Sequence, residues 1–183
     1  MKKQLSLLTV AGGDRPGIIA AVTGILYKHG CNLEDISMTV LEKELAMMMV
    51  VSVPTPKKAA VSRDLEFLKR KQHLNFFWSD LKGSRRRGEQ HTPGSRSYIV
   101  TAIGRDKTGI VYKISGLLAK RKLNITDLNS RILGKDPKAL YAMILEVDIP
   151  NSVPLKSLER ELKALERTLK VEISVRKVER LKL

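Results

Sequence analysis

A single cysteine, Cys31, stands among 183 residues, so no internal disulfide can form and a reducing, cytoplasmic setting is expected. Histidine is nearly as scarce. His29, His73 and His91 lie far apart and offer no zinc-ligand spacing. No apolar run approaches the ~18 residues a membrane span requires, and Met1-Lys2-Lys3 leads into a strand-length run rather than a secretory signal. The chain has no nucleophile elbow, no Walker phosphate loop and no dinucleotide fingerprint, because Gly12-Gly13 lacks the spacing that motif needs. Nor do acidic residues gather into a pair suited to acid–base work. These gaps point away from an enzyme, and no cofactor or metal is expected.

Hydrophobic residues at 43% and charged ones at 29% describe an ordinary globular protein. Its length suits two domains of roughly 80–90 residues, each able to bury a modest core. The formal charge is +15, unevenly placed. Residues 1–54 carry five basic and five acidic side chains; residues 55–100 carry 11 and 4, and residues 101–183 carry 18 and 10. Such a skew suits a polyanionic partner. Equally, it suits a lysine-rich solvated surface.

The chain repeats itself. Gly12-Gly13-Asp14-Arg15-Pro16-Gly17-Ile18 returns as Gly104-Arg105-Asp106-Lys107-Thr108-Gly109-Ile110, and residues 7–37 laid on 99–129 give ten identities in 31 positions. An offset of 92 residues is too long for a solenoid unit, so each copy is a domain in its own right.

In the first copy, Leu5–Val10 reads as a buried strand. Asp14 is expected to cap a helix with Pro16 in its first turn, and Ile18, Ala21, Val22, Ile25 and Leu26 follow at helical spacing. Gly30 closes that helix. Leu33–Leu41 is a second strand with Ile36, Met38 and Val40 on one face. Leu45–Val53 is apolar at nearly every position, the mark of a central strand buried on both sides. Val61, Leu65 and Leu68 form a second helix, and Leu74–Leu81 a last strand. The order β-α-β-β-α-β is the split βαβ, or ferredoxin-like, arrangement. After a linker, residues 83–95, the second copy repeats it with a longer hairpin loop, Gly134–Lys138. The expected domains are 1–82 and 96–183, each an α+β module with an antiparallel sheet in order 4-1-3-2. Phe76-Phe77-Trp78, close to Arg70, Lys71 and Arg85–Arg87, could stack bases on a basic surface or plug a core or interface.

A βαββαβ unit with Gly-x-Asp-Arg-Pro-Gly-Ile after its first strand and Asn-Leu or Asn-Ile opening its second resembles the ACT domain. Those modules are small, regulatory and amino-acid-binding. Two copies with nothing else resemble the glycine cleavage system transcriptional repressor group. The resemblance implies a non-enzymatic regulator, a ligand of the glycine or serine class and a protein partner. Unpaired sheet edges invite the copies to pair within the chain or to swap with a second chain, so a homodimer is expected. The competing class is a nucleic-acid-binding protein that uses the fold as a scaffold.

The turn has chemistry of its own. A helix N-terminus presents unpaired N–H groups and partial positive charge, which suits a carboxylate. Gly17 and Gly109 let a ligand approach that backbone, and Asp14 or Asp106 could take an ammonium group. The alternative is that these residues only shape and cap the turn. Asn32 and Asn124 each lie 15 residues beyond Gly17 or Gly109, across a helix of about 12 residues and roughly 18 Å. One copy cannot bring both to one small ligand. By analogy with ACT assemblies, one site joins Asp14, Arg15, Pro16, Gly17 and Ile18 to Asn124, and another joins Asp106, Lys107, Gly109 and Ile110 to Asn32. Alternatively, each asparagine bonds only its own turn. The copies differ, since Thr108 stands where the family commonly has proline and Arg105 replaces Gly13.

Overall fold

Leu8 and Val10 are fully buried between less buried neighbours because their strand, β1 (Lys3–Gly13), lies inside a sheet with helices over one face. The protein is described by a computed structural model at residues 2–81, 91–134 and 139–178. Arg85–Arg87 with most of the expected linker, and all but Gly134 of the expected hairpin loop, lie outside the described residues. The chain divides into two compact units, Met1–Ser84 and Arg85–Leu183.

In the first unit β1 is followed by α1 (Ile18–Lys28), β2 (Asn32–Leu41), β3 (Glu44–Pro54), α2 (Lys58–Gln72) and β4 (Asn75–Asp80). In the second come β5 (Ser95–Arg105), α3 (Ile110–Lys120), β6 (Asn124–Leu133), β7 (Leu140–Pro150), α4 (Leu155–Leu169) and β8 (Val171–Lys177). The sheets run β2-β3-β1-β4 and β6-β7-β5-β8, antiparallel throughout. Both units are ferredoxin-like βαββαβ modules, as the repeat implies.

Each core joins one sheet face to two helical stripes. Ile18, Val22 and Leu26 of α1 and Val61, Leu65 and Leu68 of α2 cover Met47, Met49 and Val51 of β3. In the second unit Ile110, Ile114, Leu118, Leu158 and Leu162 cover Met143, Leu145 and Val147. Fully burying one such side chain stabilises by about 1.5–3 kcal/mol. The expectation that β3 is buried on both faces needs correcting at two positions. Ala46 is exposed and Met48 is 49% exposed, because they pair with Ala11 and Thr39 and with Thr9 and Ser37 on the face the helices leave bare. Phe76 and Trp78 pack against the core, whereas Phe77 between them points to the other face and is 64% exposed. The aromatic run therefore serves mainly as core, consistent with strand alternation.

A bulge in β2 sets the phase of that strand. Leu33 registers with Val51, but Asp35 with Val50, so the ladder shifts at Glu34. One extra residue moves every later side chain to the opposite face. Ile36, Met38 and Val40 thereby register with Met49, Met47 and Leu45, on the helix-covered side. β6 has the same shift between Ile125 and Asp127.

The repeated Gly12 and Gly104 have a packing explanation. Gly104 passes beneath the corner between α4 and β8, where a Cβ would lie 2.8 Å from Val171 Cα and 2.9 Å from the Lys170 carbonyl oxygen. At Gly12 the corresponding neighbours are Leu74 Cδ2 at 2.9 Å and the His73 carbonyl oxygen at 3.2 Å. Gly24, inside α1, is the opposite case, with nothing within 4 Å of a built Cβ. The same substitution should therefore act with opposite signs. Gly104→Ala is expected to destabilise by about 1–3 kcal/mol through overpacking against backbone. Gly24→Ala is expected to stabilise by about 1 kcal/mol through helix propensity alone. Urea unfolding of the two variants beside the parent checks both signs.

Candidate ligand-binding site

α1 begins at Ile18, not at the expected Asp14 cap, and Gly17 is its N-cap. Gly17 has φ 93°, a left-handed conformation that glycine adopts without penalty, and Gly109 at the start of α3 has φ 96°. Neither helix has a side-chain cap, and neither has an acidic residue in its first turn. Asp14 and Pro16 lie before the helix, which corrects both expectations. The reason is geometric: the chain is still turning at residues 14–17, so the Asp14 side chain is too far back to reach the first amides. In α1 the first intrahelical bond runs from the Ala21 N–H to the Gly17 carbonyl. The N–H groups of Ile18, Ile19 and Ala20 thus point out of the helix end without a helical partner.

The loop is held from both sides. The Asp14 N–H donates to the Lys43 carbonyl at 2.7 Å, tying the turn to the β2–β3 hairpin. Arg15 donates from its guanidinium to the Gln72 carbonyl at the end of α2, where a cation suits the helix C-terminus. Arg15 is therefore engaged in the fold. The Asp14 carboxylate, by contrast, makes no hydrogen bond or ion pair among the described residues. Ile18 is 1% exposed and pins the turn to the core.

A cavity of about 600 Å³ opens at this turn. Asp14, Arg15, Pro16, Gly17 and Ile18 form its polar end, the positions the sequence singled out. Ile19, Ala20 and Thr23 supply one wall, and Met38, Val40 and Leu45 the other. Those six were not in the sequence-based set. The alternation of Ile36, Met38 and Val40 was a signal for them, but their position beside α1 depends on the bulge in β2. The volume lies within the usual ~300–1,000 Å³ for small-molecule sites.

Asn32 opens β2 at the far end of α1, whose 11 residues span about 16 Å. The structure does not bring it to its own module's turn; its Nδ2 donates to Glu34 Oε1 at 2.8 Å. Asn124 occupies the same place at the start of β6 and is exposed. Asp106 and Lys107 are exposed ahead of α3, and Ile110 is buried in its module's core. Lys69–Lys71 lie in the last turn of α2 and Lys120–Lys122 at the end of α3; Arg85–Arg87 lie outside the described residues.

Three polar clusters lie elsewhere. His29 Nε2 meets Asp64 Oδ2 at 2.9 Å, with Lys28 at 3.3 Å from the same oxygen. Arg121 pairs with Glu161 between the corresponding helices of the second module. In the third cluster, Asp148 is 1% exposed, lies 2.8 Å from His91 Nδ1 and accepts the Thr92 N–H at 2.5 Å. Burial pushes the Asp148 carboxyl up, but Thr92 and His91 outweigh it and hold the group below its ordinary value. Burial pushes the Cys31 thiol up, which leaves it a poor nucleophile at neutral pH. Among the described residues no group of three His, Cys, Asp or Glu side chains could hold a metal ion. No helix among them is long and apolar enough to cross a membrane.

Comparison with known proteins agrees with this architecture. A family profile described as ACT domain matches residues 4–79 and again 97–176. A UPF0237 protein of Methanopyrus kandleri is 48% identical over 48 residues, which are 26% of this chain and 53% of that protein. The chain thus spans about half the length of the first curated relatives it matches. A UPF0237 protein of Methanocaldococcus jannaschii is 40% identical over 78 residues, 42% of this chain and 82% of that protein. Among solved structures, a protein of unknown function from Galdieria sulphuraria has a TM-score of 0.83 at 24% identity, covering 97% of this chain and all (100%) of that one. A protein provisionally assigned as a glycine cleavage system transcriptional repressor has a TM-score of 0.70 at 22% identity, covering 98% and 100%. At these identities the structural likeness shows the fold.

The buried Asp148 cluster makes a pH-dependent contribution whose sign follows from its lowered carboxyl. A depressed folded pKa means the contribution is complete above the unfolded value of about 3.9 and is lost as pH falls through the folded one. Asp148→Asn is expected to cost about 1.5–3 kcal/mol at pH 7, the range for hydrogen bonds to a charged group. The gap between variant and parent should narrow as pH falls below about 4. Urea unfolding at pH 7 and in steps down to pH 3 measures both.

Proposed function

The chain belongs to the ACT-domain family, and from that premise we propose a non-enzymatic regulatory protein that senses an amino acid at the turn Asp14–Ile18. It passes the bound state to a protein partner, with transcriptional control as the setting suggested by its likeness to the provisionally assigned repressor. One observation carries the reading: an uncapped helix N-terminus opens onto a cavity beside a carboxylate without a side-chain partner. An amino acid zwitterion matches both halves. Its carboxylate takes the N–H groups of Gly17 and Ile18 at the open helix end, which is partially positive. Its ammonium group takes Asp14.

One module supplies only part of this site, since Asn32 lies at the wrong end of α1 for its own turn. We assign the missing hydrogen bond to the asparagine of another module: Asn124 for the Asp14–Ile18 turn, and Asn32 for the turn of Asp106, Lys107, Gly109 and Ile110. Binding would then couple modules, which is how a ligand with no chemistry to undergo alters what a partner meets. β2 and β6 are edge strands with one side of their ladders unpaired in their own sheets. Such edges favour pairing, so a homodimer is part of the proposal. A cytoplasmic setting fits the single thiol.

Calorimetric titration of the full chain against the twenty amino acids tests the sensor. Binding is expected, and the absence of binding by every one would remove the reading. A hydrogen bond to a charged group contributes about 1.5–3 kcal/mol, so Asn124→Ala should weaken binding by roughly 10- to 150-fold. Gly17→Val should abolish it, because the β-branched side chain opposes a positive φ and fills the approach. Asn32→Ala should leave the Asp14–Ile18 site intact.

A further inference from the structure

We infer that the first module's cavity takes an amino acid with a long apolar side chain, of leucine or methionine size, in preference to glycine or serine. The inference rests on the amino-acid reading above and names the ligand class of that site. Its basis is the composition of the walls. Beyond the polar end, the cavity is lined by Ile19, Met38, Val40 and Leu45. Three of these are large apolar side chains left substantially in water: Ile19 is 41% exposed, Met38 46% and Val40 40%. They belong to two elements, α1 and β2, that converge on one concavity, so a single apolar group entering it removes water from both walls.

Geometry orders the two ends of such a ligand. The outward amides and Asp14 lie at the mouth of the helix, where a zwitterionic head belongs. Met38 and Val40 lie across from α1 on the helix-covered face of β2, in register with Met47 and Leu45. A side chain leaving the head would therefore run along apolar surface. Glycine would satisfy the head and leave that surface wet; serine would add a hydroxyl facing methionine, valine and isoleucine. Thr23 is the remaining polar wall residue, and its hydroxyl proton is committed to the Ile19 carbonyl at 2.8 Å.

The second module differs at two of the same places. By strand register Met38 corresponds to Ser130, since they pair with Met47 and Met143, and Leu45 corresponds to Tyr141. Tyr141 brings a buried hydroxyl without a hydrogen-bond partner among the described residues. Val111 and Ile132 keep the other two places apolar, so Met38 and Leu45 are what set the first module's lining apart, and the duplicated turn alone does not specify them.

The test is a calorimetric series on the full chain with glycine, serine, alanine, leucine and methionine, repeated on Met38→Ser and Ala20→Tyr. Both substitutions use the second module's residues at exposed positions, and circular dichroism confirms that the variants fold. Leucine or methionine is expected to bind about tenfold or more tightly than glycine, in line with what added methylenes contribute in an apolar pocket. Met38→Ser should cut that advantage by about tenfold and leave alanine unchanged; Ala20→Tyr should reduce it by crowding the wall. Glycine or serine binding as tightly as leucine would overturn the ligand class while leaving the amino-acid sensor standing. A leucine preference unmoved by either variant would place the side chain elsewhere and defeat the inference. No binding by any amino acid would remove both readings. Should Met38→Ser instead change only the assembly mass in light scattering, the surface is a protein interface and the proposal fails.

Discussion

A left-handed backbone at Gly17, repeated at Gly109, is the constraint from which the candidate site follows. The residue that starts each helix has no side chain, so no hydroxyl or carboxylate is available from it to satisfy the first amides. Ile18 and Ile110, the next residues, are driven into their cores and hold the helix ends in place. The result is a fixed group of outward N–H donors. Asp14 precedes the turn and lines the same cavity, while Arg15 is tied back to α2. Stability and an open helix end thus rest on adjacent residues: the isoleucine anchors, and the glycine leaves the anchored end uncapped.

The two modules keep this turn but have diverged in the contacts around it. Helix pairs in both are clamped at the same place, yet by different chemistry. The first uses His29 with Asp64, and the second uses Arg121 with Glu161, a guanidinium–carboxylate pair. The second module also ties the chain ahead of β5 down with Asp148, whose carboxyl burial pushes up and Thr92 and His91 pull back below its ordinary value. Where the first module has Ser52 in the register position of Asp148, the chain ahead of β1 is held instead by Thr55, whose N–H and hydroxyl donate to the Lys2 carbonyl. Equal folds therefore do not imply equal roles, and the function of each module has to be argued from its own side chains.

Duplication made the fold readable from the amino-acid order. Two copies of the same sequence of strand-length runs and helical stripes, each with a glycine-rich turn after its first strand, leave few arrangements other than βαββαβ. The third strands declared themselves central by nearly continuous apolar residues, and the glycine turn marked where a ligand head could bind. What sequence could not say is how near these pieces come. Asp14 was expected to cap α1, and it fails because the turn runs three residues further before the helix begins. Gly12 and Gly104 stood with the turn as a shared pattern, but they are small because a helix–strand corner passes over them. Met38 and Val40 could be placed on one face of β2, whereas their role as a cavity wall awaited the bulge at Glu34 and the approach of α1. Local pattern, set by neighbours along the chain, determined the elements and their order. Distances between residues far apart in sequence are set by packing, so only the tertiary structure decided which side chains share a cavity and which merely support it.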